Sequence, residues 1–261
     1  MKHCFVVCAY KDSPYLTECL DSLKAQESPS PILMCTATPS AYLEETARAY
    51  DAEYHVNPEH PGIGSDWNFA LACAKAAGYD LVTLCHQDDL YLPSYGAAAK
   101  KAACPELLIY FSDYGEQRGA ETVTKTRLLR IKRLLLWRMR VKAFQTSRFM
   151  KHRTLAMGDP ICCPAVTFNL NRLPVPLFLT DMTTSLDWQT WERVSLMDGR
   201  FAYDPAVRML HRIHVGSTTT QVLEKGGRQP EDYAMFRKFW CAPIAKLLTR
   251  WYSTSEKSNK V

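Results

Sequence analysis

Between Thr122 and Gly158 the sequence contains no aspartate and no glutamate. Over that interval it places eleven basic residues (Lys125, Arg127, Arg130, Lys132, Arg133, Arg138, Arg140, Lys142, Arg148, Lys151 and Arg153), although the whole chain has a net charge of only +5. One segment is therefore polarised against the rest. Also missing is any uninterrupted apolar run near the ~20 residues that cross a bilayer, which excludes a membrane-spanning helix. No Cys-x-x-Cys pair occurs, and the adjacent Cys162-Cys163 are poorly placed to bridge each other. Several of the ten cysteines lie inside apolar runs (Cys4, Cys8, Cys35, Cys85), where a free thiol behaves as a small hydrophobe. This usage excludes a zinc site of ordinary spacing and points to a reducing cytoplasm. The opening residues 1–8 run straight into Lys11 and Asp12 without a small-residue cleavage site, so a first strand is expected there instead of a leader.

What is present is an ordinary globular composition, 47% apolar and 23% charged, which excludes a chain disordered throughout. Predicted strands at 5–9, 31–36, 53–56, 81–85 and 107–111 alternate with predicted helices at 13–25, 40–50, 65–77 and 94–103. Pro14 suits a first helical turn, and Leu16, Cys19, Leu20 and Leu23 give that helix one apolar face. Gly78 suits the stop of the third helix. Such alternation predicts an α/β fold with a mostly parallel sheet and helices on both faces. Beyond it are expected a strand near 161–168, helices near 187–197 and 231–251, and a strand near 201–213. One continuous domain is expected, in four parts: 1–115, the basic segment at 116–158, 159–220, and a C-terminal helix and polar tail at 221–261.

The basic segment does not resolve into a clean amphipathic helix, because its apolar residues (Leu128, Leu129, Ile131, Leu134 to Trp137) do not segregate on a helical wheel and 137–143 alternates with period two. Three readings compete: a solvated charged face, a docking surface for anionic lipid, and a nucleic-acid surface. Basic residues near an anionic bilayer contribute about 1 kcal/mol each. The lipid reading would make a cytoplasmic protein peripheral on the inner face of the cell membrane, and no nucleic-acid partner is expected.

Residues 81–93, Leu-Val-Thr-Leu-Cys-His-Gln-Asp-Asp-Leu-Tyr-Leu-Pro, form an uncharged strand that ends on two carboxylates. In α/β sheets ligands bind at the carboxyl ends of strands, where Asp88 and Asp89 fall. Adjacent carboxylates resist joint ionisation unless a cation lies beside them, and hard oxygen ligands suit Mg²⁺ or Mn²⁺. A polar turn capping the next helix is the competing reading of an isolated Asp-Asp pair.

The ordered set of Val6 to Asp12, Leu16, Cys19-Leu20, Gln26, Gly62-Ile63-Gly64 with Asn68, His86 to Asp89, Asp187 to Arg193, and His211 to Thr219 resembles an inverting family 2 glycosyltransferase. The resemblance spans about residues 4 to 220. It implies a GT-A, Rossmann-like fold with C-terminal acceptor-side helices, in which 1–115 is the nucleotide-sugar-binding half, 116–158 a basic acceptor- or membrane-facing segment and 159–220 the acceptor and catalytic half. It also implies a nucleotide-diphosphate sugar donor, a UDP-sugar first of all, a divalent cation (Mn²⁺ or Mg²⁺), and a glycan or lipid-linked glycan acceptor such as bacterial cell-envelope polysaccharide synthesis uses. By this resemblance Asp89 is the first metal ligand, with Asp88 at the ribose or beside the metal and His214 as a further metal or diphosphate contact. Nucleotide-sugar contacts are expected from Ala9, Tyr10, Lys11, Asp12, Thr36, Asp66, Asn68, Gln87, Asp88, Arg212, Ser217 and Thr218. Asp187 is the expected base, with an N-cap as its competing role, and Trp188 and Trp191 are expected to line the acceptor pocket.

The sequence departs from the family in places. The second strand ends on Thr36-Ala37-Thr38-Pro39 where many relatives carry an acid that reads the base. Leu186 stands where a glutamate usually precedes the catalytic acid, and no Gln-x-x-Arg-Trp occurs, which with no membrane span argues against a processive synthase. His3, His55, His60 and His152 fall in no motif and are expected to be ordinary core or surface residues. Two other classes stay open: a sugar nucleotidyltransferase, against which stands the lack of glycine from Ala9 to Pro14, and a non-catalytic module binding nucleotide-sugar or nucleic acid.

Overall fold

Four short apolar segments form the parallel half of the sheet. The computed structural model describes residues 1–59, 62–214 and 228–256. Strands β1 (His3–Ala9), β2 (Ile32–Thr36), β3 (Glu53–Val56) and β4 (Leu81–His86) pair in parallel, in the order β3-β2-β1-β4. Between them run helices α1 (Leu16–Lys24), α2 (Ala41–Ala49) and α3 (Ile63–Ala76). β1, β2 and β4 are buried almost throughout, as strands covered on both faces must be. The Ser40 hydroxyl caps α2 by accepting from Leu43 N.

The rest of the sheet is mixed. After the short β5 (Leu90–Tyr91) and α4 (Tyr95–Ala102) comes β6 (Leu107–Arg118), joined by β7 (Glu121–Val123), β8 (Val166–Asn169) and β9 (Arg200–Ile213). The order continues β4-β8-β6-β9-β5, with β7 pairing β6. β6 and β9 point the same way as β1 to β4, whereas β5, β7 and β8 are antiparallel to their neighbours. The predicted strand at 107–111 extends to Arg118 because its partner β9 is equally long and accompanies it with irregular register near Asp113. The strand predicted near 161–168 begins only at Val166, since Cys163–Ala165 forms a 3₁₀ turn around Pro164.

The basic segment is helical: α5 (Arg127–Leu135), 3₁₀ turns at Leu136–Arg140 and Lys142–Gln145, and α6 (Arg148–Thr154). α7 (Leu186–Ser195) follows β8 in the chain, and two helices, α8 (Gln229–Phe239) and α9 (Ala242–Glu256), replace the single one expected, because Trp240 is extended between them. Two apolar clusters cover opposite faces of the sheet, one around Val6, Val82, Phe168 and Trp191, the other around Phe5, Leu20, Tyr91 and Tyr95. Trp188 and Trp191, expected at the acceptor pocket, belong to the first and are wholly buried. Trp191 stacks on Phe168 of β8, while Trp188 packs against Phe236, Phe239 and Tyr252 of the C-terminal helices. Among the described residues the cysteines are free, and no helix is long and apolar enough to cross a membrane.

His3 sits inside the parallel sheet, with Nδ1 2.8 Å from Ser30 Oγ and Nε2 2.8 Å from Thr83 Oγ1. Burial first, and the charge of Lys100 second, push its pKa down from 6.5 to about 3. Below pH 6.5 the unfolded chain binds a proton there that the folded chain refuses, so this stability is present above 6.5 and is lost as pH falls toward 3. At about 1.4 kcal/mol per pH unit, lowering the pH from 7 to 4.5 should remove roughly 2.5 kcal/mol through this group. Urea unfolding of the wild type and His3→Gln at both pH values checks it, the variant being expected to lose that much less.

Candidate active site

The parallel strands β1 and β4 end side by side, with Cys8 opposite His86. Gln87 ties the two ends together: its amide Nε2 donates to Tyr10 O at 2.9 Å, and its Oε1 accepts from Tyr10 N at 3.0 Å. Gln87 is therefore fixed to the first loop. Beyond it the chain turns and presents Asp88 and Asp89 in different environments.

Asp89 is fully buried. Its Oδ1 lies 2.9 Å from His211 Nδ1 and accepts from Arg212 N at 2.9 Å, so the end of β9 is anchored on it. Its Oδ2 is buried with no hydrogen-bond partner and lies 3.8 Å from His86 Nδ1. Asp88 is more open, its Oδ2 lying 2.8 Å from His214 Nε2. Burial works to raise the Asp88 pKa, but the imidazoles of His86, His214 and His211 outweigh it and hold the carboxyl below its ordinary value. His211 shows the converse, its pKa raised because the Asp89 carboxylate more than offsets the effect of burial. Stacking of the His86 ring on Trp67, 5.3 Å between centroids, fixes its plane.

Ligand atoms of His86, Asp88 and Asp89 all lie within 4.8 Å of one another. The orphaned Asp89 Oδ2 is the test of fit: a buried carboxylate oxygen without a donor is matched by a cation placed against it and Asp88. The donor set of two carboxylates and an imidazole suits Mn²⁺, with Mg²⁺ less favoured by the nitrogen. The expected order is thus altered in detail. Asp88 is the carboxylate open to a ligand, while Asp89 divides between holding β9 and facing the cluster. His86 joins the group although the sequence reading gave it no role, and its place in the His-Gln-Asp-Asp run was the available signal.

Arg212, expected at the diphosphate, is committed elsewhere. Its Nε donates to Asp88 O at 2.8 Å, its NH2 group donates to Glu18 at 2.6 Å, and the guanidinium lies 4.5 Å from the Tyr15 ring centroid. It clamps β9 and the acidic turn to α1. Asn68 likewise accepts from Leu177 N and Phe178 N and donates to Phe178 O, fixing the loop before α7. Asp66 accepts from Asn57 Nδ2 and Gly62 N at the start of its own helix, and burial raises its pKa.

The remaining expected donor residues line the first loop. Ala9 and Thr36 are buried at the ends of β1 and β2, Tyr10 and Lys11 are exposed, and Lys11 adopts a positive φ of 56°. Asp12 accepts from Ser40 Oγ, and the Thr36 hydroxyl accepts from Thr38 N. Ser217, Thr218 and the rest of the closing motif beyond His214, with His60, lie outside the described residues.

Asp187 lies in the first turn of α7 but is not its N-cap, which is Ser185. The loop before it is held by Glu231 of α8, whose carboxylate accepts from the backbone N–H groups of Thr183, Thr184 and Ser185. The Asp187 Oδ1 accepts from Trp188 N at 2.8 Å. Asp159, a buried residue that no motif marks, has its pKa pushed well up by burial and then by the charge of Asp187. Burial, first of all, also raises the Cys162 thiol, and the charges of Asp89, Asp159 and Asp187 add to that.

No protein-family model and no curated protein matches the sequence. Solved structures match its fold. A mannosyltransferase from Pyrobaculum calidifontis, in complex with GDP-Man and Mn²⁺, aligns at TM-score 0.64 and 17% identity over 99% of this chain and 70% of its own. S. aureus TarS in complex with UDP-GlcNAc aligns at 0.56 and 15% over 95% and 70%. Glucosyl-3-phosphoglycerate synthase from Mycobacterium tuberculosis, with Mn²⁺ and UDP-glucose, aligns at 0.54 and 17% over 88% and 77%. The fold is therefore that of the GT-A glycosyltransferases.

Proposed function

We propose that the protein is a metal-dependent glycosyltransferase that moves one sugar, with inversion, from a nucleoside-diphosphate sugar to a glycan acceptor carried on a lipid. The observation that carries this reading is the convergence of His86, Asp88 and Asp89 at the β4 end, with an unpaired buried oxygen, on a fold shared with nucleotide-sugar enzymes. Asp88, with Asp89 and His86, would hold Mn²⁺ or Mg²⁺, and His214 stands beside Asp88. When bound, the cation supplies neutralisation of the negative charge on the leaving diphosphate. The first loop, Tyr10 to Asp12, forms the rim for the nucleotide. The Asp187 carboxylate takes the acceptor hydroxyl's proton as that oxygen bonds to the sugar C1 and the C1–phosphate oxygen bond breaks on the opposite side. The proton ends on Asp187, and the nucleoside diphosphate leaves.

A thermal-shift series with GDP, UDP and their sugars, each with Mn²⁺ and with chelator, tests donor binding. One nucleotide is expected to raise the melting temperature only when metal is present, because a ligand bound solely to the folded state stabilises it. Proton NMR of the product then reads the new anomeric linkage, and retention of the donor configuration would sink the inverting assignment.

A further inference from the structure

The eleven cations between Thr122 and Gly158 divide into two sets once folded. Arg133 is taken up by Asp113 at 2.6 Å and by Thr124 O. Lys151 is buried and donates to Met197 O and Gly199 O. Arg148 pairs with Asp198, while Arg153 lies over Trp240, Lys132 over Tyr114 and Arg138 over Trp137. Lys125, Arg127, Arg130, Arg140 and Lys142 are exposed. Alongside them large apolar side chains are exposed too: Leu134 at 68%, Trp137 at 47%, Val141 at 41%, and Phe149 of α6 at 68%. Leu134, Trp137 and Val141 follow one another at three- and four-residue spacing from α5 into the 3₁₀ turn. An apolar ridge fringed by unspent cations, with no carboxylate of its own, has the chemistry of a surface that inserts side chains at the acyl boundary while its charges meet anionic headgroups.

From this we infer that α5 and the following 3₁₀ turn form a docking surface for an anionic lipid bilayer. The docking does not depend on the proposed glycosyl transfer.

Sedimentation of the full chain with phosphatidylcholine vesicles, and with vesicles containing phosphatidylglycerol, tests the surface without any donor. Strong binding is expected to the anionic vesicles alone, weakened at high salt. Trp137→Ser with Leu134→Ser, and separately Arg127→Gln with Arg130→Gln, should each lower the bound fraction at least fivefold with an unchanged melting temperature. Equal binding to neutral vesicles, or binding indifferent to the Trp137 and Leu134 pair, would overturn the inference. So would tight binding of duplex DNA without anionic-vesicle binding, which would mark a polyanion surface. Turnover of a soluble acceptor without vesicles is measured in parallel. Its loss in the wild type, with vesicle binding intact, would remove the transferase reading and leave the docking surface standing.

Discussion

Asp88→Asn is expected to lower turnover at least a thousandfold while leaving the folded protein nearly as stable as the wild type. Of the two acidic neighbours Asp88 is the one open to a ligand, and among the described residues its side chain is hydrogen-bonded to the His214 imidazole. The amide keeps the size and loses the charge that a divalent cation needs, and a thousandfold loss corresponds to about 4 kcal/mol of transition-state stabilisation. Half-buried and singly paired, the group contributes about 1 kcal/mol or less to folding. Asp89→Asn should behave differently. Its Oδ1 holds both His211 and the Arg212 backbone, so folding stability is expected to drop by about 2–4 kcal/mol as well. Calorimetric Mn²⁺ titration and thermal unfolding of both variants separate the two roles. Undiminished Mn²⁺ affinity in Asp88→Asn would move the metal site elsewhere.

Asp187→Asn should lower kcat by roughly 10² to 10⁴, the usual contribution of a positioned base, with donor and metal affinity unchanged. The asparagine amide still fits the first turn of α7 and its oxygen still accepts from Trp188 N, so the loop held by Glu231 should stay in place. Single-turnover kinetics with saturating donor, alongside equilibrium donor binding, checks this. A matching fall in donor affinity would make Asp187 a binding residue instead of the proton acceptor.

The parallel half of the sheet was legible because each of its strands is a short apolar run punctuated by polar turns, so local pattern and tertiary environment agree. The second half was less so. The length of β6 depends on β9, nearly a hundred residues later, whereas the break at the extended Trp240 had a local signal that the expected single helix passed over, Pro243 in the first turn of α9. The burial of Trp188 and Trp191 was not legible, because an indole beside an acid reads alike whether it faces water or the core, and sequence spacing does not decide which side of α7 is covered. Arg212 and Asn68, expected at the donor from the family resemblance, have internal partners that no motif announces: Glu18 and Asp88 O in one case, the Leu177–Phe178 backbone in the other.

The amino-acid order by itself determined that an uncharged strand ends on Asp88 and Asp89, that a second acid follows at Asp187, and that one segment carries cations without acids. These are properties of neighbours in the chain. Only the tertiary structure decided that Asp88 is open and Asp89 an anchor, that His86 joins them, that Asp159 stands behind Asp187, and which cations of the basic segment remain unspent. The reason is physical: solvent access and the partner across a contact set what a charge can do, and both are created by residues far away in sequence.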